Sequence, residues 1–492
     1  MIRPPVPSIA PHRFLFAVPN HQRDLEGHAL VAYHLARRHG HEATFTNVPG
    51  LEDAVLAVAP DVVVLDRVDT RAHVARLAKS LGMKVALLPT VGFTQDTTEI
   101  EARRAGKDLA SERLVDCCLV WGDYARRLLL ESRALPESTV HTVGCPRFDA
   151  YSQPYLSLAE PRESLAAGLE TADANTPLIV WATNTYHVRT RDLETTVASA
   201  VASGVPETEI RGQLADEETA FNDLANAVTT LAARHPDWRF LIKLHPAETP
   251  APYEAIAAGS PNITLASNAR IRDVLHHCTA LLANTSTTAT EAWMLGKAVY
   301  EVIFGKYHVP APSTYLAGNY IVRSIDELDA SLRKCVESPE SAMDNEHRAA
   351  RTAFLEDVYF RIDGRSAERC AAQLHAVVAA EQRPEDRAVM RASAAVLRAE
   401  RRRAAQRRPG ARIKAALGLS NGVTLSFWRR AFWRQFTNHR WRSPWVEPIT
   451  IEMVQAHFDR FDRVHPRLPA TNGTALPPSA LFARNAARAP RR

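Results

Sequence analysis

The chain has 492 residues, 46% of them hydrophobic, and carries a net charge of +5. That length and composition suit two α/β domains plus an appendage, and no stretch approaches the roughly eighteen consecutive apolar residues of a membrane-spanning helix. The opening residues lack the long apolar centre of a signal peptide. Six scattered cysteines, with only Cys117 and Cys118 adjacent and badly placed to bridge each other, point to free thiols in a reducing cytosol and away from a disulfide framework or a zinc site.

Residues 1–12 are proline-rich and read as loose. Phe14–Val18 reads as a first strand, Pro19–Asp24 as its exit loop, and Leu25–His39 as a helix stopped by Gly40. Strands are expected at Ala43–Phe45 and Asp61–Leu65, then a helix at Ala72–Leu81 closed by Gly82. A fourth strand, Lys84–Leu88, runs into Pro89-Thr90-Val91-Gly92-Phe93. Cys117–Trp121, a helix over Tyr124–Ser132 and Val140–Val143 complete this half. Strands alternating with helices predict a parallel, doubly wound sheet. A first Rossmann-like domain is therefore expected over residues 1–150, with a linker over residues 148–175.

A second Rossmann-like domain is expected over residues 175–380. It opens with the strand Pro177–Ala182 and the exit loop Thr183–His187, the kind of place where α/β sheets bind ligands. Residues 203–218 read as an acidic connection and residues 219–235 as a helix. Trp238–Leu244 is an apolar run closed by His245-Pro246, which reads as a buried strand. Next come a strand at Asn262–Leu265, a short helix at Ile271–His276 and a strand at Ala280–Ala283. The turn Asn284-Thr285-Ser286-Thr287-Thr288 then opens a helix over Ala289–Leu295. Strands at Ala298–Ile303 and Tyr320–Val322, and helices at Ile325–Val336 and Ser366–Ala380, finish the domain.

Residues 383–492 form a basic, aromatic helical extension, with its last twenty residues read as disordered. Residues 383–442 hold sixteen Lys and Arg against three Asp and Glu, a net +13 against +5 for the whole chain, so the remainder is acidic. Such asymmetry implies an anionic partner. The run Phe427-Trp428-Arg429-Arg430-Ala431-Phe432-Trp433-Arg434 suits a helix lying on an anionic membrane surface, a role assigned to residues 398–442. It equally suits an aromatic cap on the body. A nucleic-acid partner is not expected.

Several side chains could carry chemistry. A hydroxyl-rich turn opening a helix offers N–H groups, hydroxyl donors and the positive end of a helix dipole to a phosphate. Thr285, Ser286, Thr287 and Thr288 are four hydroxyl residues in a row, more than capping alone needs. His245 follows a strand and precedes a proline; alone it would read as a histidine satisfying a strand end. Lys243, inside an apolar run, reads as reaching solvent at the sheet end. Arg23 could hold an acidic acceptor. Asp24 could act as a base, or serve only as an acid in a helix's first turn.

His-Pro after one strand, with a Ser/Thr turn opening a helix two elements later, resembles the C-terminal half of GT-B glycosyltransferases. Arg23–His41, Val143–Tyr151 and Asp363–Arg369 resemble stretches of the surface polysaccharide biosynthesis group, which includes CMP-Kdo and sialic acid transferases and CDP-glycerol glycerophosphotransferases. The resemblance spans residues 14–380. It implies two domains facing a cleft and a last helix crossing back to the first domain. The donor would be a nucleotide sugar, with a CMP-sugar favoured, and the acceptor a glycan or lipid-linked glycan. Neither metal nor cofactor is implied, and the setting would be cytoplasmic, on the inner face of the membrane. His245 with Pro246 would meet donor phosphate, as would Lys243 and Thr285–Thr287, while Glu291 would take the ribose hydroxyls. Arg23 and Gly92 would face the acceptor. The acid-acid-Gly motif of CMP-sugar transferases is missing at Pro89–Phe93, so the base is left open among Asp24, Glu26, Asp96 and Glu99, with His245 as a further catalytic candidate. CDP-glycerol-type phosphotransfer and a non-catalytic binding protein stay open as alternatives.

Overall fold

The computed structural model describes residues 11–68, 70–90, 113–133, 135–166, 169, 173, 175–185, 188, 189, 193–202, 205–245, 248–266, 269–306, 313–339, 343–379, 384–407 and 449–466. Gly92, Asp96, Glu99, Pro246, the aromatic-arginine run after Phe427 and the last twenty residues lie outside them. The chain divides into two units. One comprises Met1–Pro154 and Asp357–Arg492, the other Tyr155–Glu356.

In the first unit, strands β1 (Arg13–Val18), β2 (Glu42–Asn47), β3 (Val62–Leu65), β4 (Lys84–Leu87), β5 (Cys117–Val120) and β6 (Val140–Thr142) form one sheet in the order β2-β1-β3-β4-β5-β6. All its pairings are parallel. β3 is Val-Val-Val-Leu and wholly buried, as a strand covered on both faces must be. Helix α1 (His21–His39) starts ahead of Leu25 because Asn20 caps it, its side chain accepting the Arg23 N–H at 3.2 Å. It stops at Gly40, whose φ of 68° is a left-handed turn that glycine takes without steric cost. Helices α2 (Leu51–Val58), α3 (Ala72–Ser80) and α4 (Asp123–Glu131) follow.

The second unit contains strands β7 (Leu178–Ala182), β8 (Arg239–Lys243), β9 (Ile263–Ala266), β10 (Ala280–Ala283), β11 (Ala298–Val302) and β12 (Tyr320–Val322), in the order β12-β11-β10-β7-β8-β9. These are again parallel throughout. The chain starts in the middle at β7, winds out to β9, and returns to lay β10 on the other side of β7. The switch point of this sheet therefore falls between β7 and β10. Its helices are α5 (Leu193–Ala202), α6 (Glu207–Arg234), α7 (Ala251–Ala258), α8 (Ile271–His277), α9 (Thr288–Met294), α10 (Ser313–Leu316), α11 (Ile325–Glu337) and all but the last three residues of α12 (Asn345–Tyr359). The expected acidic connection is a correction: Glu207–Glu218 is the first part of α6. Ile210 and Leu214 are buried one turn apart, in line with Phe221, Leu224 and Val228, while Glu207 and Glu209 face solvent.

The chain re-enters the first unit at Asp357. Helix α13 (Ser366–Ala379) begins beneath the β6 exit loop. Asp149, 1% exposed, accepts the N–H groups of Ser366 at 2.8 Å and Ala367 at 2.7 Å. Asp149 thus caps α13 from far away in sequence. The Arg147 guanidinium lies 4.7 Å from the Phe148 ring centre. Gly144 sits at φ 85°, and an added Cβ would lie 2.4 Å from Ser366 Oγ. Arg369 donates to the Val143 carbonyl at 2.8 Å. Two of the stretches that carried the resemblance therefore meet here as one structural joint.

Helix α14 (Pro384–Arg407) buries Met390 and Ala394 in the core of the first unit, and Arg401 reaches Glu52 at 2.7 Å. Helix α15 (Ile451–Val464) buries Val454, Phe458 and Phe461. Its Asp462 accepts from Tyr33 Oη at 2.8 Å and from Arg37 at 2.8 Å. These described parts of the extension pack on the first unit. No described helix is long and apolar enough to cross a membrane, and all six cysteines are free and buried.

Asp149→Ala should leave two buried N–H groups unpaired and destabilise the first unit by roughly 2–4 kcal/mol. Urea unfolding followed by tryptophan fluorescence reads the loss, and Asp149→Asn should fall between native and Ala. An unmoved midpoint for the alanine variant would remove this capping role.

Candidate active site

Three exit loops at the carboxyl edge of the second unit's sheet are tied together by hydrogen bonds. After β8, the His245 N–H donates to Thr183 Oγ1, after β7, at 2.8 Å. Asn184, also after β7, donates through Nδ2 to the carbonyls of Asn284 and Thr285, after β10, each at 3.4 Å. His245 and the hydroxyl turn thus lie on loops joined through Thr183 and Asn184, which flank the switch point.

Buried carboxyls hold two of these loops from beneath. Thr285 sits at φ 49°, in the left-handed region that a β-branched residue rarely adopts. Its N–H donates to Glu301 Oε1, on β11. Glu301 is 0% exposed and also accepts from Asn319 Nδ2 at 3.0 Å, with Tyr315 Oη 3.4 Å away. Burial pushes its carboxyl up to about 7, against the pull of these hydrogen bonds. Glu248 plays the same part for the β7 loop. It accepts the Thr185 N–H at 2.7 Å and the Tyr253 hydroxyl at 2.5 Å, and burial raises its pKa.

The hydroxyls divide their work. Ser286 is buried and its Oγ accepts the Thr288 N–H at 3.3 Å, an ordinary capping bond. Thr287 is exposed and makes no side-chain capping bond. Thr285 is half-buried. Helix α9 has only 7 residues, so its dipole adds little and the hydroxyls and N–H groups carry the polarity of this turn. Glu291 is largely buried within α9. Lys243 departs from its expected place in solvent. It is 8% exposed and donates to the Leu244 carbonyl at 2.8 Å, with burial pulling its pKa down to about 8 while Glu248 opposes.

The first unit has a small pocket at the carboxyl edge of its own sheet. Asp24, Gly27 and His28 of α1 line it, with Leu88, Pro89 and Thr90 after β4, and Pro146 and Arg147 after β6. Gly27 lets the helix meet the β6 exit closely, since an added Cβ would lie 2.7 Å from the Arg147 backbone nitrogen. Trp121 Nε1 donates to the Pro89 carbonyl at 2.8 Å and fixes the β4 exit. Arg23 and Asp24 pair with each other: Nε to Oδ1 at 2.7 Å and Nη2 to Oδ2 at 2.9 Å. Arg23 Nη2 also reaches Thr90 Oγ1 at 3.3 Å.

His28 is the residue that sequence reasoning passed over. Its Nδ1 lies 2.7 Å from the Asp24 carbonyl, which can only accept, so Nδ1 carries the proton. Nε2 is buried and has no hydrogen-bond partner among the described residues. Burial lowers the pKa of His28, against the raising effect of Asp24, so the ring is neutral with its lone pair on Nε2. The only signal in the sequence was its place one helical turn after Asp24. Among the described residues, no group of three or more His, Cys, Asp or Glu is arranged to hold a metal.

No protein-family model and no curated protein matches this chain. Solved structures do. The UDP-GlcNAc 2-epimerase of Neisseria meningitidis, bound to UDP-GlcNAc, is 16% identical over 74% of this chain and 99% of its own, with a TM-score of 0.48. The Methanocaldococcus jannaschii UDP-GlcNAc 2-epimerase, in complex with UDP-GlcNAc and UDP, is 13% identical over 74% and 99%, with a TM-score of 0.47. A glycosyltransferase from Rickettsia africae is 14% identical over 76% and 100%, with a TM-score of 0.44. The chain's own two parallel six-stranded α/β sheets, one in each unit, are the doubly wound pair expected from the sequence.

The Lys243 pKa, near 8 in the fold against 10.5 ordinarily, means that the unfolded chain binds the extra proton between those values. Stability should therefore rise as pH climbs through that window. Lys243→Met lacks this dependence and should be more stable than the native chain by roughly 1–3 kcal/mol at neutral pH, with the gap closing toward about pH 10. Denaturant midpoints of the two proteins across pH test it. A gap that stays constant with pH would show that Lys243 is not titrating in this way.

Proposed function

We propose that this protein is a glycosyltransferase of surface polysaccharide synthesis that uses a nucleotide-sugar donor. The observation that carries the reading is the joining of the β7, β8 and β10 exit loops at the second unit's switch point, where open α/β sheets take their ligands. His245, Thr285 and Thr287 would bind the donor phosphates as hydrogen-bond donors, and Glu291 would take the ribose. Ser286 and Lys243 would support them from within.

In this reading the first unit's pocket takes the acceptor hydroxyl. The hydroxyl oxygen bonds to the anomeric carbon as the bond from that carbon to phosphate breaks. The electron pair leaves on the phosphate oxygen, and the hydroxyl proton passes to His28 Nε2. Asp24, with both carboxylate oxygens on Arg23, would hold that arginine rather than act as the base. Phosphate charge on the departing nucleotide would be met by hydroxyls, N–H groups and His245.

Isothermal titration of the full chain with UDP, CDP and CMP tests the donor site. His245→Ala and Thr287→Ala should each weaken binding roughly tenfold. His28→Gln should bind nucleotide normally, yet slow the hydrolysis of a UDP-sugar, in which water replaces the acceptor, by roughly 100-fold or more. Failure of the native chain to bind any of the three nucleotides would favour a non-catalytic role.

A further inference from the structure

The proton positions around Glu301 can be assigned from the groups that touch it. Trp293 Nε1–H donates to Asn319 Oδ1 at 3.0 Å, so the Asn319 amide turns its NH2 toward Glu301 Oε2, 3.0 Å away. The Thr285 N–H takes Oε1. Tyr315 has one proton, and its hydroxyl lies 2.8 Å from the Ser286 carbonyl, which can only accept. That bond is much shorter than the 3.4 Å to Glu301 Oε2, so the proton belongs to Ser286. Tyr315 therefore faces Glu301 Oε2 with a lone pair. An ionised Glu301 would set two acceptors against each other in a buried place. A protonated one donates to Tyr315 and completes a chain from β11 to the turn.

We propose that Glu301, as a carboxylic acid donating to Tyr315, is the positioning residue of the nucleotide site, holding Thr285 directly and Ser286 through Tyr315 so that the turn is shaped for phosphate. This inference rests on the nucleotide reading above. Glu301's contacts are a backbone N–H, a phenol and a carboxamide. Other ionisable side chains on and beside these elements include Lys297 just before β11 and Tyr300 within it, Tyr320 of β12, Glu291 of α9, Arg323, which donates to the Ile303 carbonyl at 3.3 Å, and Arg351 of α12. Arg351 donates to the carbonyls of Gly318 at 2.7 Å and Lys297 at 2.8 Å, and lies over Trp293. With burial as the leading cause, the carboxyl titrates near 7. Above that pH the Glu301–Tyr315 link is lost and the turn loosens, so nucleotide affinity falls.

The test is calorimetric binding of UDP and CDP to the full-length protein at about pH 6 and about pH 8.5, across the expected transition. The native chain should bind roughly tenfold more weakly at the higher pH than a variant free of this titration predicts. Glu301→Gln is that variant. Its carboxamide keeps an acceptor for Thr285 and a donor for Tyr315 but loses the Asn319 bond, so it should bind somewhat more weakly at the lower pH. The pH effect specific to Glu301 should be gone. Ligand ionisation is common to both proteins and cancels in the comparison. Tyr315→Phe should weaken binding at both pH values and lose the same pH effect. Glu301→Gln with the native pH profile, or Tyr315→Phe with native affinity, overturns the proposal alone. No nucleotide binding by the native chain at either pH overturns the donor-site reading and this proposal with it. Circular dichroism confirms that each variant folds, and the near-isosteric Glu301→Gln keeps the test decisive if Tyr315→Phe does not.

Discussion

A backbone N–H taken out of water must find an acceptor, and this fold meets that constraint at its junctions with carboxyl groups. Glu301 receives the N–H of Thr285 where β10 gives way to the hydroxyl turn. Glu248 receives that of Thr185 beyond β7. Asp149 receives two at the start of α13. Burial raises the pKa of all three carboxyls. Sinking such a group is unfavourable, but leaving a buried amide unpaired costs on the order of 1–3 kcal/mol each. A short side chain that reaches from a rigid strand or turn is a compact way to meet the need. It also fixes the amide's direction, which a water would do less firmly.

The functional geometry follows from these anchors. A β-branched residue at φ 49° would relax toward the ordinary regions unless its neighbours over-determined it. The Glu301 carboxyl, the Tyr315 hydroxyl on the Ser286 carbonyl and Asn184 on the Asn284 and Thr285 carbonyls together do so. With the turn's backbone held from below and from the side, Thr287 is left exposed and outside the cap. The division among neighbouring hydroxyls, one buried for capping and one outward, comes from the backbone and is invisible in a run of four similar residues.

Much of the fold was legible because buried parallel strands leave a plain trace. Val62–Leu65, Leu178–Ala182 and Ala280–Ala283 are short, wholly apolar runs between turn signals, and each is a central strand. The opening of α6 was misread because its acids drew attention from Ile210 and Leu214, the two residues that set its buried face. Lys243 was placed in solvent by the rule for lysines at sheet ends. Its ammonium instead lies inside against the Leu244 carbonyl, a matter of how the following loop folds back. The cap on α13 depends on Asp149, 217 residues before Ser366, and no local pattern announces such a partner. Glu301 had the same difficulty, since a single acid in Ala-Val-Tyr-Glu-Val reads as a residue at a strand end until the groups above it are known.

In the proposed reaction, residue type alone would not choose the base. Asp24 and His28 stand one helical turn apart on α1, and both line the same pocket. A carboxylate is the more obvious candidate by chemistry. Yet Asp24 has both oxygens on the Arg23 guanidinium, at 2.7 and 2.9 Å, so taking a proton would disrupt a bidentate pair whose carboxylate is buried. His28 begins from the opposite condition. The Asp24 carbonyl holds its Nδ1 proton and burial keeps the ring neutral, so the lone pair on Nε2 meets no hydrogen-bond donor among the described residues. When that nitrogen accepts a proton, the new cation forms beside the Asp24 carboxylate, whose charge favours it. In the proposed reaction the aspartate's contribution would thus be electrostatic support, supplied through the helix it shares with the histidine, and the proton would go to the group whose lone pair has no partner among the described residues.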